Sequence, residues 1–252
     1  MLRQIAVPLA AVIAFLGFWE FIVWVNDWPN YKMASPSDLP PAFFKFAPLF
    51  FEMGWQTLWR TVAGLALAVV FGTLLGMAMG FSRTARDALY PLLVGFNAIP
   101  KATLVPVIAL IFIGQHDFNT VLMAFLISFF PIAVSVGIGL STLEPEYRDI
   151  LRALGASNVT IFRKIALPKT LPEFFGALKV SVTLAFIGTN LVEIVSPHGR
   201  GLGALFKSGE TNGDYPLMFA VLIALAFLGI VLYYAVVALE RIFAGWAERP
   251  QG

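Results

Sequence analysis

The sequence predicts an all-α membrane protein with six transmembrane helices, and composition, segment length and cation placement carry that prediction. Apolar residues make up 59% of the 252-residue chain and charged residues only 13%, against about 25% charged in a soluble domain. Mean hydropathy is +0.82. Six apolar segments reach the length a helix needs to cross a bilayer, roughly 20 residues. They cover residues 5–25, 58–80, 89–113, 120–140, 171–195 and 217–239.

Lys and Arg set the orientation, because short cation-rich connections stay in the cytoplasm. Arg3 precedes the first segment, Arg83 and Arg86 separate the second from the third, and Arg148, Arg152, Arg163, Lys164 and Lys169 crowd the fourth connection. Arg241 and Arg249 follow the last segment. The opposite connections hold only Lys32, Lys45, Arg200 and Lys207. Both termini and the fourth connection are therefore expected in the cytoplasm. A formal net charge of +2 gives no case for nucleic-acid binding, and the absence of cysteine excludes disulfides, thiolate metal sites and cysteine nucleophiles.

The first segment carries Trp19, Glu20 and Trp24 and lacks a small-residue cleavage site, which favours a retained span over a secretory signal. After Ser35, Pro36 and Ser37, five phenylalanines (43, 44, 46, 50 and 51) line up with Lys45 and Glu52. That stretch fits either a short amphipathic helix lying in the interface, with Pro48 discouraging a long regular one, or a partly buried loop. Residues 1–56 are accordingly set apart from a core of 57–252. In the second segment Gly64, Ala68, Gly72, Gly76 and Gly80 recur every four residues. One helix face of small residues lets another backbone approach, forming a seam within the subunit or between subunits, with a role in substrate passage as the alternative. Pro100 and Pro106 are expected to bend the third segment.

The fourth connection, residues 141–169, is too patterned for a tether. Tyr147 to Leu154 form a short helix that Gly155 ends; Ser157 or Asn158 caps a second helix through Val159, Ile161, Phe162 and Ile165, which Pro168 stops. Apolar residues among cations outside the membrane make a docking surface.

Here the chain resembles the inner-membrane components of binding-protein-dependent transporters. Their cytoplasmic signature has an acidic and two small residues, three positions, glycine, nine positions, isoleucine, one position, then leucine and proline. This chain has Asp149, Ile150 and Leu151, then Gly155, and Ile165, Leu167 and Pro168 at matching spacing. Ordinary residue usage produces the pattern from Gly155 onward at about one starting position in tens of thousands. The front of the signature departs, with aspartate for glutamate and Ile150 and Leu151 for alanines. Ser35, Pro36 and Ser37, Thr57, Leu58, Arg60 and Gly64, Pro100 and Pro106, and Gly201, Leu202 and Gly203 are similar to the nitrate, sulfonate, taurine and bicarbonate branch.

The resemblance implies the permease of a type I ABC importer with a MetI-like fold in the bacterial inner membrane. It implies two ATPase subunits, coupled through Asp149, Gly155, Ala156, Ser157, Phe162, Ile165, Leu167 and Pro168. It also implies a second permease copy and a periplasmic or lipid-anchored solute-binding protein. The expected solute is small and polar or anionic, of the nitrate, sulfonate or taurine type, with a vitamin precursor or aromatic carboxylate as the alternative. No phosphate-binding glycine loop occurs in the chain, so ATP and Mg belong to the partner and no cofactor is expected here. No catalytic constellation, arginine ladder or carbonyl-filter sequence supports an enzyme, channel or secondary transporter.

Ionisable groups inside spans are expensive and mark function by default. Lys101 and Asn97 share a face of the third segment, Asn190 and Glu193 a face of the fifth. These four are the candidates for the solute path, the alternative for Lys101 being pairing with a carboxylate or backbone carbonyls. Glu20 lies toward the outer end of the first segment. His116 and His198, in external connections without metal-ligand spacing, read as surface residues.

Overall fold

The computed structural model describes residues 2–141, 153, 155, 160, 164, 166–196 and 199–246. Among these the chain is helical throughout its regular structure: α1 (Leu2–Val25), a 3-10 turn (Pro36–Asp38), α2 (Leu39–Phe81), α3 (Arg83–Ala98), α4 (Lys101–Ile111), α5 (His116–Ser141), α6 (Leu167–Val195), α7 (Leu202–Asn212) and α8 (Tyr215–Ala244). Four helices (α2 with its preceding turn, α5, α6 and α8) are long and apolar enough to cross a membrane, and the bent pair α3 and α4 forms a fifth candidate. The first predicted span is helical as α1, whose apolar stretch Ala10–Val25 falls in the shorter class.

Two expectations change. The phenylalanine segment is no separate short helix: α2 runs for 43 residues from Leu39 to Phe81 with Pro48 inside it, about 64 Å at 1.5 Å per residue. The division at residue 56 therefore runs through an unbroken helix. Pro48 forgoes only the bond to the carbonyl of Phe44. Phe46, Leu49, Phe50 and Met53 pack against Leu202, Leu205, Leu217 and Val221 of α7 and α8, and that packing outweighs the local penalty. The third segment, in contrast, is not one helix. α3 and α4 meet at 91°, because Ile99 (φ −66°, ψ 128°) and Pro100 (φ −60°, ψ 110°) are both extended. Proline drives its predecessor out of the helical region. Pro106 lies inside α4 without ending it.

The glycine stripe is an internal seam. A Cβ at Gly72 meets the Phe129 carbonyl at 2.9 Å, one at Gly76 comes 2.6 Å from Val136 Cβ, and one at Gly80 comes 2.6 Å from Leu140 Cβ. Ala68, on the same face, is fully buried. α2 thus lies backbone-close against α5, and their contact, with Phe175, Leu178 and Val182 of α6 and Leu232 and Val236 of α8, forms the principal core. The bundle's two ends are distinct: Phe81, Ser141, Leu167 and Ala244 mark the end where residues 142–166 connect α5 to α6, and His116, Val195 and Tyr215 mark the other.

Candidate functional site

At the connecting end, three residues of the docking signature are described. Gly155 has φ +80°, and no described residue comes within 4 Å of where its Cβ would stand. Only glycine takes that backbone without strain; the two short helices expected on either side of it lie almost wholly outside the described residues. Leu167 and Pro168 open α6, with Leu167 exposed. Pro168 therefore starts a membrane helix, and the fifth segment begins four residues before position 171. Its missing N–H falls in the first turn, where no intrahelical acceptor exists. Asp149, Ala156, Ser157, Phe162 and Ile165 lie outside the described residues.

Lys101 sits at the break between α3 and α4. Its Nζ donates to the carbonyls of Phe96 (2.8 Å), Asn97 (3.0 Å) and Ile99 (3.2 Å), and lies 4.9 Å from the centroid of the Phe96 ring. Carbonyls at a helix C-terminus have no intrahelical donors and attract a cation. The ammonium thus closes the end of α3 while its own residue begins α4. Asn97 is exposed beside it, and the two remain neighbours although the helix they were placed on is broken.

The other pair differs in burial and partners. Asn190 is half-buried, donating to the Phe186 carbonyl at 2.8 Å, while its Oδ1 is buried with no partner among the described residues. Glu193 is 0% exposed and held from several sides. The Thr57 hydroxyl approaches both its oxygens at 3.1 and 2.9 Å, Arg60 Nη1 lies 3.2 Å from Oε1, and the amide of Gly203 donates to Oε2 at 3.0 Å. Arg60, 1% exposed, also donates through Nη2 to Asp117 at 2.5 Å and through Nη1 to the Arg200 carbonyl. The Leu202 amide donates to the Thr57 hydroxyl at 2.9 Å, and Thr61 donates to Thr189 at 3.0 Å. Gly201 has φ +129°, and any Cβ there would run into the Glu193 carboxylate.

This cluster ties α2, α5, α6 and α7 together at the end opposite residues 142–166. Glu193 is legible in the sequence as a candidate, but its partners are not: Arg60 lies 133 residues away. The visible signal was Thr57, Arg60 and Gly64 at helical spacing together with Gly201, Leu202 and Gly203. Nearby, His116 Nε2 accepts from the Arg200 amide at 3.4 Å. His198 lies outside the described residues. Lys179, a membrane-level lysine that no local pattern marks, pairs with Glu240.

Residues 68–245 match the family described as binding-protein-dependent transport system inner membrane component. The chain belongs to that family. It is a permease subunit of an ABC importer of the MetI type, a transport component and not an enzyme, with ATP hydrolysis placed in a separate subunit in such systems. The permease is 31% identical over 243 residues to the formylaminopyrimidine transport permease protein of Halalkalibacterium halodurans, covering 96% of each chain. It is 26% identical to the taurine transport system permease protein of Escherichia coli, covering 99% of this chain and 92% of the relative. Among solved structures, an inward-facing MetNI methionine ABC transporter superposes with a TM-score of 0.66 at 20% identity, covering 79% of the permease and 98% of that chain. This last likeness concerns the fold alone.

Proposed function

We propose that the permease forms, with a second copy of itself, the membrane path of an importer that receives its solute from an external binding protein and is driven by two ATPase subunits. The observation that carries this reading is the signature from Gly155 to Pro168 in the cation-rich connection, inside the stretch that matches the family. One docking loop per chain calls for two chains, most simply a symmetric pair. Six spans with both termini cytoplasmic place residues 141–169 where the ATPases stand. Asp149, Gly155, Ala156, Ser157, Phe162, Ile165, Leu167 and Pro168 form the coupling surface, and ATP and Mg are bound by the partner. The family match at 68–245 lies within the expected core of 57–252.

The solute is small and polar. The relative at 31% identity favours a substituted pyrimidine, and the taurine relative at 26% favours a sulfonate-type anion as the second reading. Lys101 and Asn97, at the broken span, face the path between the copies. Purification should co-isolate an ATPase, and uptake in proteoliposomes should require ATP and the binding protein together. Uptake by the permease alone refutes the reading. Calorimetry of the binding protein with a formylaminopyrimidine, taurine and nitrate decides the solute. Unchanged uptake and solute preference in Lys101→Ala removes Lys101 from the path.

A further inference from the structure

Two adjoining cavities of about 420 and 410 Å³ lie along the outside of α6 and α8, sharing Thr183 and Tyr233. Their walls are mostly apolar, with Val180, Leu184, Phe186, Leu225 and Ile230 among them. Gly176 and Gly229 leave room, and Lys179, Thr183, Tyr233 and Tyr234 supply the polar groups. At 1.5 Å per residue, Lys179 and Thr183 stand about 18 and 24 Å into α6, and Tyr233 about 27 Å into α8. Both helices are about 44 Å long or slightly more, so each of the three stands more than about 15 Å from either end, toward the middle of a hydrocarbon layer about 30 Å thick. Thr183 and Tyr233 are exposed there, and the Lys179 side chain keeps 26% of its surface. Polar groups at this depth are expensive against lipid and ordinarily face water or protein.

The donors are specific. The Lys179 ammonium reaches both oxygens of Glu240, at 2.9 and 2.8 Å. An ammonium has three N–H groups, so one remains for a further acceptor. The Tyr233 hydroxyl makes no hydrogen bond to any described residue. Thr183 donates to the Lys179 carbonyl across 3.3 Å, a long contact that a better acceptor can replace. Because Glu240 neutralises Lys179, the groove offers hydrogen-bond donors without a large net charge, which suits a solute that must bind and then leave. Asn190, seven residues beyond Thr183, continues the same face of α6.

We propose that this groove is a solute-contact site on the path between the two copies, taking small solutes that present anionic or carbonyl oxygens to Lys179, Thr183 and Tyr233. It rests on the importer reading and adds the surface the solute touches.

The chain contains no cysteine, so Thr183→Cys provides a single reporter in the assembled transporter. The probe is methanethiosulfonate ethylsulfonate, a small charged reagent that modifies thiolates only where water reaches them. During ATP turnover, Thr183→Cys should react within about ten-fold of the rate at Ser208→Cys, on the exposed face of α7, and Phe227→Cys, on the apolar face of α8, should be slower by about a hundred-fold. Modification at Thr183→Cys should stop ATP-driven uptake. Thr183→Val and Tyr233→Phe should each reduce uptake about five-fold, as expected for one hydrogen bond. Reaction as slow as at Phe227→Cys, a spontaneous Thr183→Cys disulfide between copies, or modification that leaves uptake intact overturns the site. The cysteine-free parent is assayed in parallel for dependence on ATP and the binding protein. A failure there is a failure of the importer reading and is read separately from the labelling.

Discussion

Glu193 and Arg60 show how much one buried pair decides. Both side chains are sealed from solvent, and each is fully engaged, Glu193 by Thr57, Arg60 and Gly203, Arg60 by Glu193, Asp117 and Arg200. Removing one partner strands the other charge, at about 3 to 5 kcal/mol. Arg60→Met should therefore lower the unfolding temperature of the detergent-solubilised permease strongly. Asp117→Asn should do so weakly, because Asp117 is 61% exposed. Arg60→Lys should rescue only in part, since an ammonium lacks the planar fork that reaches Glu193, Asp117 and the Arg200 carbonyl at once. A full-strength Arg60→Met protein in thermal scans would mean that the cluster is dispensable. Glu193 was legible as a costly membrane-level carboxylate, but its partners were not, because burial depends on which distant segment folds over it.

Helices differ in how much of their packing is written in local pattern. The glycine repeat of α2 was plain, and only its target, α5, came from the structure. Gly76→Ala should destabilise by about 1 to 3 kcal/mol through overpacking against Val136 and Ala133. Gly95→Ala on α3, where a Cβ meets nothing within 4 Å, should be neutral or stabilising by up to about 1 kcal/mol. Equal effects of the two in thermal unfolding would remove the seam. The prolines are instructive because equal residues act unequally. Pro48 and Pro106 sit inside helices, whereas Pro100 marks the 91° break. At Pro100 the freed carbonyls of α3 find a donor in Lys101, so the broken form is stabilised locally. Lys101→Met should loosen that corner by about 1 kcal/mol, read as amide exchange about five-fold faster at the end of α3. An unchanged exchange pattern would show that the ammonium does not hold the break.

At the scale of the whole molecule, the bundle has two chemically different ends. One carries the buried charge cluster and α7, the other the connection with the docking signature. Gly155→Pro and Phe162→Asp are expected to leave membrane insertion intact and to abolish ATPase co-purification or ATP-driven uptake. At position 155 a proline cannot take φ +80°. Normal transport by both variants would assign transmission to some other segment.

Membrane residence, family membership and the small-residue face of α2 were determined by the sequence alone, because each is written in neighbouring residues: apolar run length, spacing within one loop, and a four-residue period. Tertiary structure decided the rest. It joined the phenylalanine segment to α2, since packing on α7 and α8 outweighs one proline. It broke the third span at Pro100, folded Gly201 and Gly203 over Glu193, and set Lys179 against Glu240 beside an open groove. These outcomes depend on contacts between residues far apart in the chain, and the balance of local penalty against long-range packing is set only when the helices meet.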